Sequence, residues 1–116
     1  MKKEFEFKAN GGFYIWSRGF SFYGDIKCGE IKKGAIVEVI RDFDKITAKI
    51  GLIAIDGGKL IESTKGYKDV SLLLTEFSDH KLNTIEQRFN PDGDNEPPFP
   101  KLFGATFPIY IQNAEL

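Results

Sequence analysis

Residues 13–40 constrain the fold more than any other part of the 116-residue chain, because glycines interrupt strand-like runs there. Alternate positions from 20 to 28 are apolar or small and would share one face of an extended chain: Phe20, Phe22, Gly24, Ile26 and Cys28. Gly24 falls between bulky neighbours, where a missing side chain lets a strand coil or another backbone approach. The pattern predicts a half-buried strand that bends as strands do in a small closed barrel.

Turn and strand signals surround this strand. Residues 29–34 are polar and contain two glycines that tolerate positive φ, and residues 35–40 are rich in β-branched side chains. On the N-terminal side, Phe5 and Phe7 alternate with charged residues. The sequence Asn10-Gly11-Gly12 then predicts a hairpin turn, after which a new strand would begin at Phe13.

The second half of the chain continues the same alternation and then loses it. Strands are predicted at 46–55 and 70–74, with Val70, Leu72 and Leu74 pointing inward. Residues 79–89 favour a short helix, since Leu82, Ile85 and Phe89 are spaced by three and four. Residues 90–100 contain four of the five prolines and predict a loop. A final strand is predicted around 103–111, where Pro108 favours an edge position.

The ordered glycines carry a resemblance to a known family. The series F-x-I-x-x-R-G, followed by G-x-I-x-x-G-x-I-K-x-G-x-x-V-E-V-I, occupies residues 13–40, and an acidic turn leading into a leucine-rich strand occupies residues 59–74. Together they resemble the second domain of translational GTPases such as elongation factor Tu. The likeness covers residues 13–75 and implies an all-β fold, a small closed or partly open antiparallel β-barrel of the translation-protein type.

The C-terminal part departs from that family. The usual Arg-Gly turn and closing strand are missing after the leucines, so a divergent extension, 78–116, would close the sheet by a different route. We therefore expect residues 1–116 to form a single domain. No G-x-x-x-x-G-K-[ST] phosphate loop occurs in the sequence. The chain therefore resembles the barrel domain by itself, without the GTP-hydrolysing domain. No nucleotide or other cofactor is expected.

The resemblance also suggests candidate site residues. In the family this barrel helps to hold the acceptor end of aminoacyl-tRNA and touches ribosomal RNA. Arg18 matches an arginine that precedes glycine in the family. An equally valid interpretation is that Arg18 fixes the turn into the strand that contains Phe20. Asp69 stands where the family has asparagine and would place negative charge near a tRNA end. With 16 basic and 17 acidic residues, the overall charge favours a protein partner over nucleic acid.

Aromatic residues between 13 and 23 provide a second set of candidates. Alternation allows about half of them to face one core, which leaves Tyr14, Trp16 and Tyr23 for an exposed aromatic surface. Such a surface suits protein recognition or base stacking. The alternative is that a second layer covers these rings. The predicted binding surface comprises Tyr14, Trp16, Arg18, Tyr23 and Asp69.

The remaining reactive side chains do not form a catalytic or metal-binding pattern. His80 is the only histidine and is interpreted as an exposed residue near a helix start, while Cys28 is interpreted as a small core residue. The acidic residues 92–96 could bind calcium or simply be solvated, and their glycine does not match the EF-hand position. The sequence leaves both interpretations open.

The leading hypothesis is a non-enzymatic binding module that resembles domain 2 of translation factors and recognises a protein. One alternative is an inhibitor or immunity-type protein that blocks an enzyme, and another is an RNA- or ribosome-associated factor. Charged residues follow Met1-Lys2-Lys3 where a secretion signal needs an apolar run, and no apolar stretch approaches ~18 residues. We therefore expect a cytoplasmic protein with no membrane partner.

Overall fold

The computed structural model describes residues 5–15, 19–55, 58–83 and 105–114, except for the side chains of residues 13–15. This part of the chain consists almost entirely of β-strands, with one short helix. The elements in chain order are β1 (Phe5–Ile15), β2 (Gly19–Gly29), β3 (Ile36–Ile40), β4 (Lys45–Ile55), β5 (Lys59–Ile61), β6 (Asp69–Thr75), α1 (His80–Asn83) and β7 (Ile109–Asn113).

Six of the strands form a closed antiparallel barrel. The strand order is β3-β7-β1-β2-β6-β4, and β4 pairs again with β3 to complete the ring. The seventh strand, β5, adds to β4. Closure pairs the backbone N–H and C=O groups that would remain unpaired at the edges of an open sheet. The predicted all-β barrel is confirmed, and it is closed.

The barrel interior is filled by the apolar residues that alternation predicts. Val70, Leu72 and Leu74 of β6 all point into the core and are at most 4% exposed, which confirms their predicted orientation. Phe20 packs edge-on against Phe77 with ring centroids 5.5 Å apart. The largest fully buried side chains are Phe5, Phe7, Phe20, Phe22, Ile50, Ile53, Leu72, Leu74, Ile109, Ile111 and Val37.

The predicted hairpin at Asn10-Gly11-Gly12 is wrong, because β1 runs without interruption from Phe5 to Ile15. Ala9 pairs with Gly24 and Gly11 pairs with Tyr23, so Asn10 is the extra residue of a β-bulge. The glycines serve close packing rather than a turn. A Cβ at position 12 would lie 2.6 Å from the Ser21 carbonyl oxygen, closer than any real contact.

The prediction that Cys28 belongs to the core is also wrong, since Cys28 is exposed. Phe7 pairs with Ile26 but Glu6 pairs with Cys28, so that Lys27 has no opposite residue on β1. This second bulge changes the phase of the alternation in β2. Cys28 therefore lies on the same outer face as Glu6, although it is two residues from the inward-facing Ile26.

Gly24 has the role that its position in the sequence predicted. A Cβ at this position would overlap the carbonyl oxygen of Lys8 and lie 3.0 Å from the Cα of Ala9. Gly29 and Gly34 bound the predicted turn and have φ values of 75° and 93°. Both lie in the left-handed region that side chains disfavour.

The C-terminal strand β7 lies inside the sheet, and the predicted edge position is wrong. β7 pairs with β1 on one side and with β3 on the other. Pro108 precedes the first paired residue, Ile109, so its missing N–H falls outside the ladder. This strand is the different route by which the chain closes its barrel.

The predicted helix at 79–89 is described over its first turn only, as α1, and Leu82 is buried there. Ile85, Phe89 and the proline-rich loop 90–100, with its acidic residues 92–96, lie outside the described residues. Within the described ranges, we find no helix of the length and apolar character needed to cross a membrane.

Candidate functional site

A groove lies on the outer surface of the barrel, where β2 and β6 pair. Tyr23 is directly opposite Ser71, and Asp25 is directly opposite Asp69. Residues two apart on a strand share a face, as do directly opposed residues, so these four side chains belong to one face. It is the outer face, because the neighbouring Phe22 is fully buried.

The groove has a volume of about 500 Å³. The groove is lined by the end of β4, by Gly58 just before β5, and by residues of β1, β2 and β6. Volumes of ~300–1,000 Å³ are typical of ligand pockets. The lining residues are Asn10, Tyr23, Gly24, Asp25, Ala54, Ile55, Gly58, Asp69, Val70 and Ser71.

The Tyr23 ring is the largest exposed apolar surface of the groove, with 49% of the residue accessible. The hydroxyl end of the ring lies over Gly11, the residue opposite it on β1. A Cβ at position 11 would overlap the Tyr23 hydroxyl and lie 2.9 Å from Cε1 of the ring. Gly11 therefore permits a ring position that any larger residue would prevent.

Asp25 and Asp69 form an interacting pair of carboxyl groups. The hydrogen bond with the Asp69 side chain is the largest cause that lowers the pKa of Asp25; loss of hydration opposes it. Asn10 Nδ2 also donates to Asp25 Oδ2 over 3.5 Å, and Lys27 and Lys8 lower the pKa further through space. The groove consequently places two acidic side chains beside an aromatic ring.

The structure brings together two of the five predicted surface residues, Tyr23 and Asp69. Tyr14 lies on β1 opposite Phe20, but its side chain is outside the description. Trp16 and Arg18 lie outside the described residues altogether. The binding role of all five residues stays a prediction.

Sequence reasoning missed Asp25, Asn10 and Ser71 as groove residues. Asp25 could have been noticed, since it shares the Tyr23 face of β2 by simple alternation. Its pairing with Asp69 could not, because a register between strands more than 40 residues apart is not visible in one sequence. Asn10 enters the groove because it belongs to a bulge, which the Asn-Gly signal for a hairpin concealed.

The other reactive residues lie elsewhere. His80 begins α1, on an exposed position. In the described part of the chain, no group of three or more histidine, cysteine, aspartate or glutamate side chains is arranged to hold a metal ion. The groove thus combines a ring, carboxylates and polar side chains, which suit recognition by contact and charge.

Comparison with protein-family models gives no match, and neither does comparison with curated proteins. Among solved structures, the crystal structure of the bacterial selenocysteine-specific elongation factor EF-Sec is similar, with a TM-score of 0.51 and 17% sequence identity. The match covers 62% of this chain. This chain has the β-barrel fold of translation factors. The predicted resemblance to a domain of translational GTPases is thereby confirmed at the level of the fold.

The match spans 12% of the EF-Sec chain, so this chain covers only a small part of that protein's length. At 17% sequence identity, the similarity shows the fold alone.

Proposed function

We propose that this translation-factor-type barrel is a non-enzymatic binding module, and that it recognises a protein partner through the outer groove. The observation that carries the proposal is the placement of an exposed Tyr23 ring beside the Asp25–Asp69 pair in a groove of about 500 Å³. Tyrosine is enriched in the central contacts of protein interfaces, since it combines a large apolar area with a polar hydroxyl. A rigid barrel holds such residues in fixed relative positions.

The charge of the groove favours a protein over a nucleic acid. Nucleic-acid binding depends on cations that neutralise phosphates. Here two carboxylates lie within the groove, and the whole chain has a formal net charge of −1. An anionic backbone would be repelled by Asp25 and Asp69, whereas a partner with basic residues would be attracted.

The proposal assigns recognition rather than catalysis to the groove. Its lining supplies an aromatic ring, a carboxyl pair, an amide and a hydroxyl, together with short apolar side chains. These groups provide the apolar contact and satisfied hydrogen bonds of an interface. A barrel of the same fold forms one part of EF-Sec, which supports the interpretation of the fold as a module.

Site-specific photo-crosslinking in cells tests the proposal. A benzoylphenylalanine that replaces Tyr23 should give a discrete crosslinked protein, which should disappear in the Asp25→Asn/Asp69→Asn background. The matched control carries the same group at Phe43, which is 96% exposed in the turn between β3 and β4 and outside the groove.

Crosslinks of equal pattern at positions 23 and 43 would contradict a specific site in the groove. Crosslinks to RNA rather than protein at position 23 would favour the RNA-associated alternative. Identification of the captured protein as an enzyme whose activity the chain suppresses would favour the inhibitor or immunity-type alternative.

A further inference from the structure

Two loops at one end of the barrel are joined by hydrogen bonds. Residues 30–35 connect β2 to β3, and residues 62–68 connect β5 to β6. Thr64 lies at the junction and is 1% exposed. Its N–H donates to the carbonyl oxygen of Ile31 at 3.0 Å, and its hydroxyl oxygen accepts from the N–H of Ile31 at 2.9 Å. Its carbonyl oxygen accepts from the N–H of Tyr67 at 2.9 Å, so the backbone of both loops is fixed.

Exposed lysines concentrate on these loops and on the adjoining end of β2. Residues 27–34 and 62–68 contain five lysines and two glutamates, whereas the other residues of the chain include 11 basic and 15 acidic ones. All five lysines are exposed, and none of them forms an ion pair within the part of the chain that the structure describes. We call this set the lysine surface: Lys27, Lys32, Lys33, Lys65 and Lys68.

Backbone pairing brings these lysines together from separate parts of the sequence. Lys32 lies opposite Ser63 in an isolated β-bridge between the two loops. The N–H of Ile26 donates to the carbonyl oxygen of Lys68 at 2.8 Å, which places Lys68 beside the end of β2 that carries Lys27. Like charges on neighbouring segments repel one another, and an anionic group that binds among them is attracted by several at once.

The surroundings of the lysine surface favour an acidic peptide over a nucleic-acid backbone. Glu30 and Glu62 lie in the same loops, and Asp25 and Asp69 lie next to them on β2 and β6. A nucleic acid carries a charge at every phosphate and would have to pass these carboxylates, whereas a short acidic segment can end before them. Tyr67, which is 41% exposed, adds an aromatic ring of the kind that protein interfaces use.

We propose that the lysine surface binds a short acidic segment of a partner protein, whose carboxylates accept hydrogen bonds from the ammonium groups while Tyr67 contacts its apolar atoms. None of the five lysines lines the groove, so this surface goes beyond the proposed function and does not depend on it. Complementary charge speeds the encounter with such a segment and excludes basic partners. The fixed backbone of the loops lowers the entropy cost of binding.

A titration of the whole isotope-labelled chain with the peptide acetyl-Gly-Asp-Glu-Asp-Glu-Gly-amide, followed by NMR, tests the proposal. The amide signals of residues 32–33 and 63–68 should shift, with a dissociation constant in the millimolar range. The same peptide with asparagine and glutamine at the acidic positions keeps the size but lacks the charge, and it should leave these signals in place. Raising the salt concentration from about 0.05 M to about 0.5 M should weaken the acidic peptide by about fivefold, because salt screens exposed charges.

Two double variants locate the interaction on the two loops. Lys32→Gln/Lys33→Gln and Lys65→Gln/Lys68→Gln should each weaken the acidic peptide by about fivefold, the loss expected when two exposed charge pairs are removed. Each variant keeps a side chain of similar length at every changed position. Amide signals that stay in place outside the loops show that each variant is folded.

The matched control is Lys45→Gln/Lys81→Gln, which removes two exposed positive charges from the opposite end of the barrel. Lys45 pairs with Ile40, at the end of β3 away from the two loops. Lys81 lies in α1, close to Asp79, which binds Arg41 of the turn between β3 and β4. The control should change the affinity for the acidic peptide by less than about twofold, because these charges are distant and screened.

Equal shifts with the acidic and neutral peptides, or no shifts in the two loops, would overturn the inference. A control variant that weakens the acidic peptide as much as the loop variants do would overturn it as well. A uridine tetranucleotide of similar charge that moves the same signals at lower concentration would overturn it in favour of the RNA-associated alternative. Crosslinking at position 23 reports on the groove alone, so failure of one proposal is distinguishable from failure of the other.

Discussion

Gly24 makes room for atoms of another strand. The carbonyl oxygen of Lys8 occupies the space that a Cβ at position 24 would need. The close approach lets β1 and β2 stay paired beside the bulge at Asn10. The absence of a side chain at position 24 thus allows β1 and β2 to approach this closely.

Gly24→Ala should accordingly destabilise the protein by about 3 kcal/mol or more, because backbone atoms must move to accept the methyl group. Gly34→Ala is the control: its Cβ would meet nothing within 4 Å, and φ of 93° is its only penalty. That penalty is about 1–2 kcal/mol. Urea denaturation measures both, and equal losses would show that the contact with Lys8 is unimportant.

Asp44→Asn tests one contact within the turn between β3 and β4. Asp44 accepts hydrogen bonds from Arg41, and the guanidinium lowers the pKa of the carboxyl group. Its replacement should lower the thermal midpoint. A midpoint that is unchanged or raised would contradict a stabilising contact between Asp44 and Arg41.

At the scale of elements, the turn between β3 and β4 is held by Arg41. The guanidinium binds both oxygens of Asp44 at 2.7 and 2.8 Å and reaches Asp79, just before α1, at 3.0 Å. The hydrogen bond with Asp44 is the largest cause that raises the pKa of Arg41. One side chain therefore connects the hairpin to the segment that follows β6.

Arg41→Met should lower the thermal midpoint by about 5 °C at neutral pH, since several charge-assisted hydrogen bonds are lost. Phe43→Ser, in the same turn but 96% exposed, should change it little. The pKa of Asp44 is lowered in the folded protein, so its contribution is present above the ordinary value of 3.8 and is lost as the pH falls through the lowered value.

The difference in midpoint between the wild type and Arg41→Met should therefore be constant near neutrality and shrink in acid below about pH 4. Thermal melts across this range measure it. A difference that persists unchanged in strong acid would mean that Arg41 stabilises the turn by packing rather than by charge.

At the scale of the whole molecule, β7 completes the barrel between β1 and β3. Ile111 is fully buried and Tyr110 is 36% exposed, although they are adjacent. Ile111→Ala should cost about 2–5 kcal/mol in unfolding free energy, while Tyr110→Ala should cost less than about 1 kcal/mol. Chemical denaturation measures the pair, and similar losses would contradict the inward and outward alternation of the closing strand.

Single-sequence reasoning succeeded where the information is local. Alternation identified the inward face of β6, and isolated glycines identified the close approach at Gly24 and the turn at 29–34. It failed at Asn10 and at Lys27, because a bulge depends on which residues lie opposite, and this cannot be read from one strand. The same limit explains why Tyr23 and Asp69 were found as separate candidates, whereas Asp25 and Asn10 were missed.

The sequence by itself determined the all-β class, most strand positions and the translation-factor resemblance, because side-chain alternation and glycine conformation act within a few residues of the backbone. The tertiary structure alone decided the closing position of β7, the exposure of Cys28 and the pairing of Asp25 with Asp69. Those features depend on registers between strands that are distant in the chain. Register is fixed by the packing of the complete barrel, which no single segment specifies.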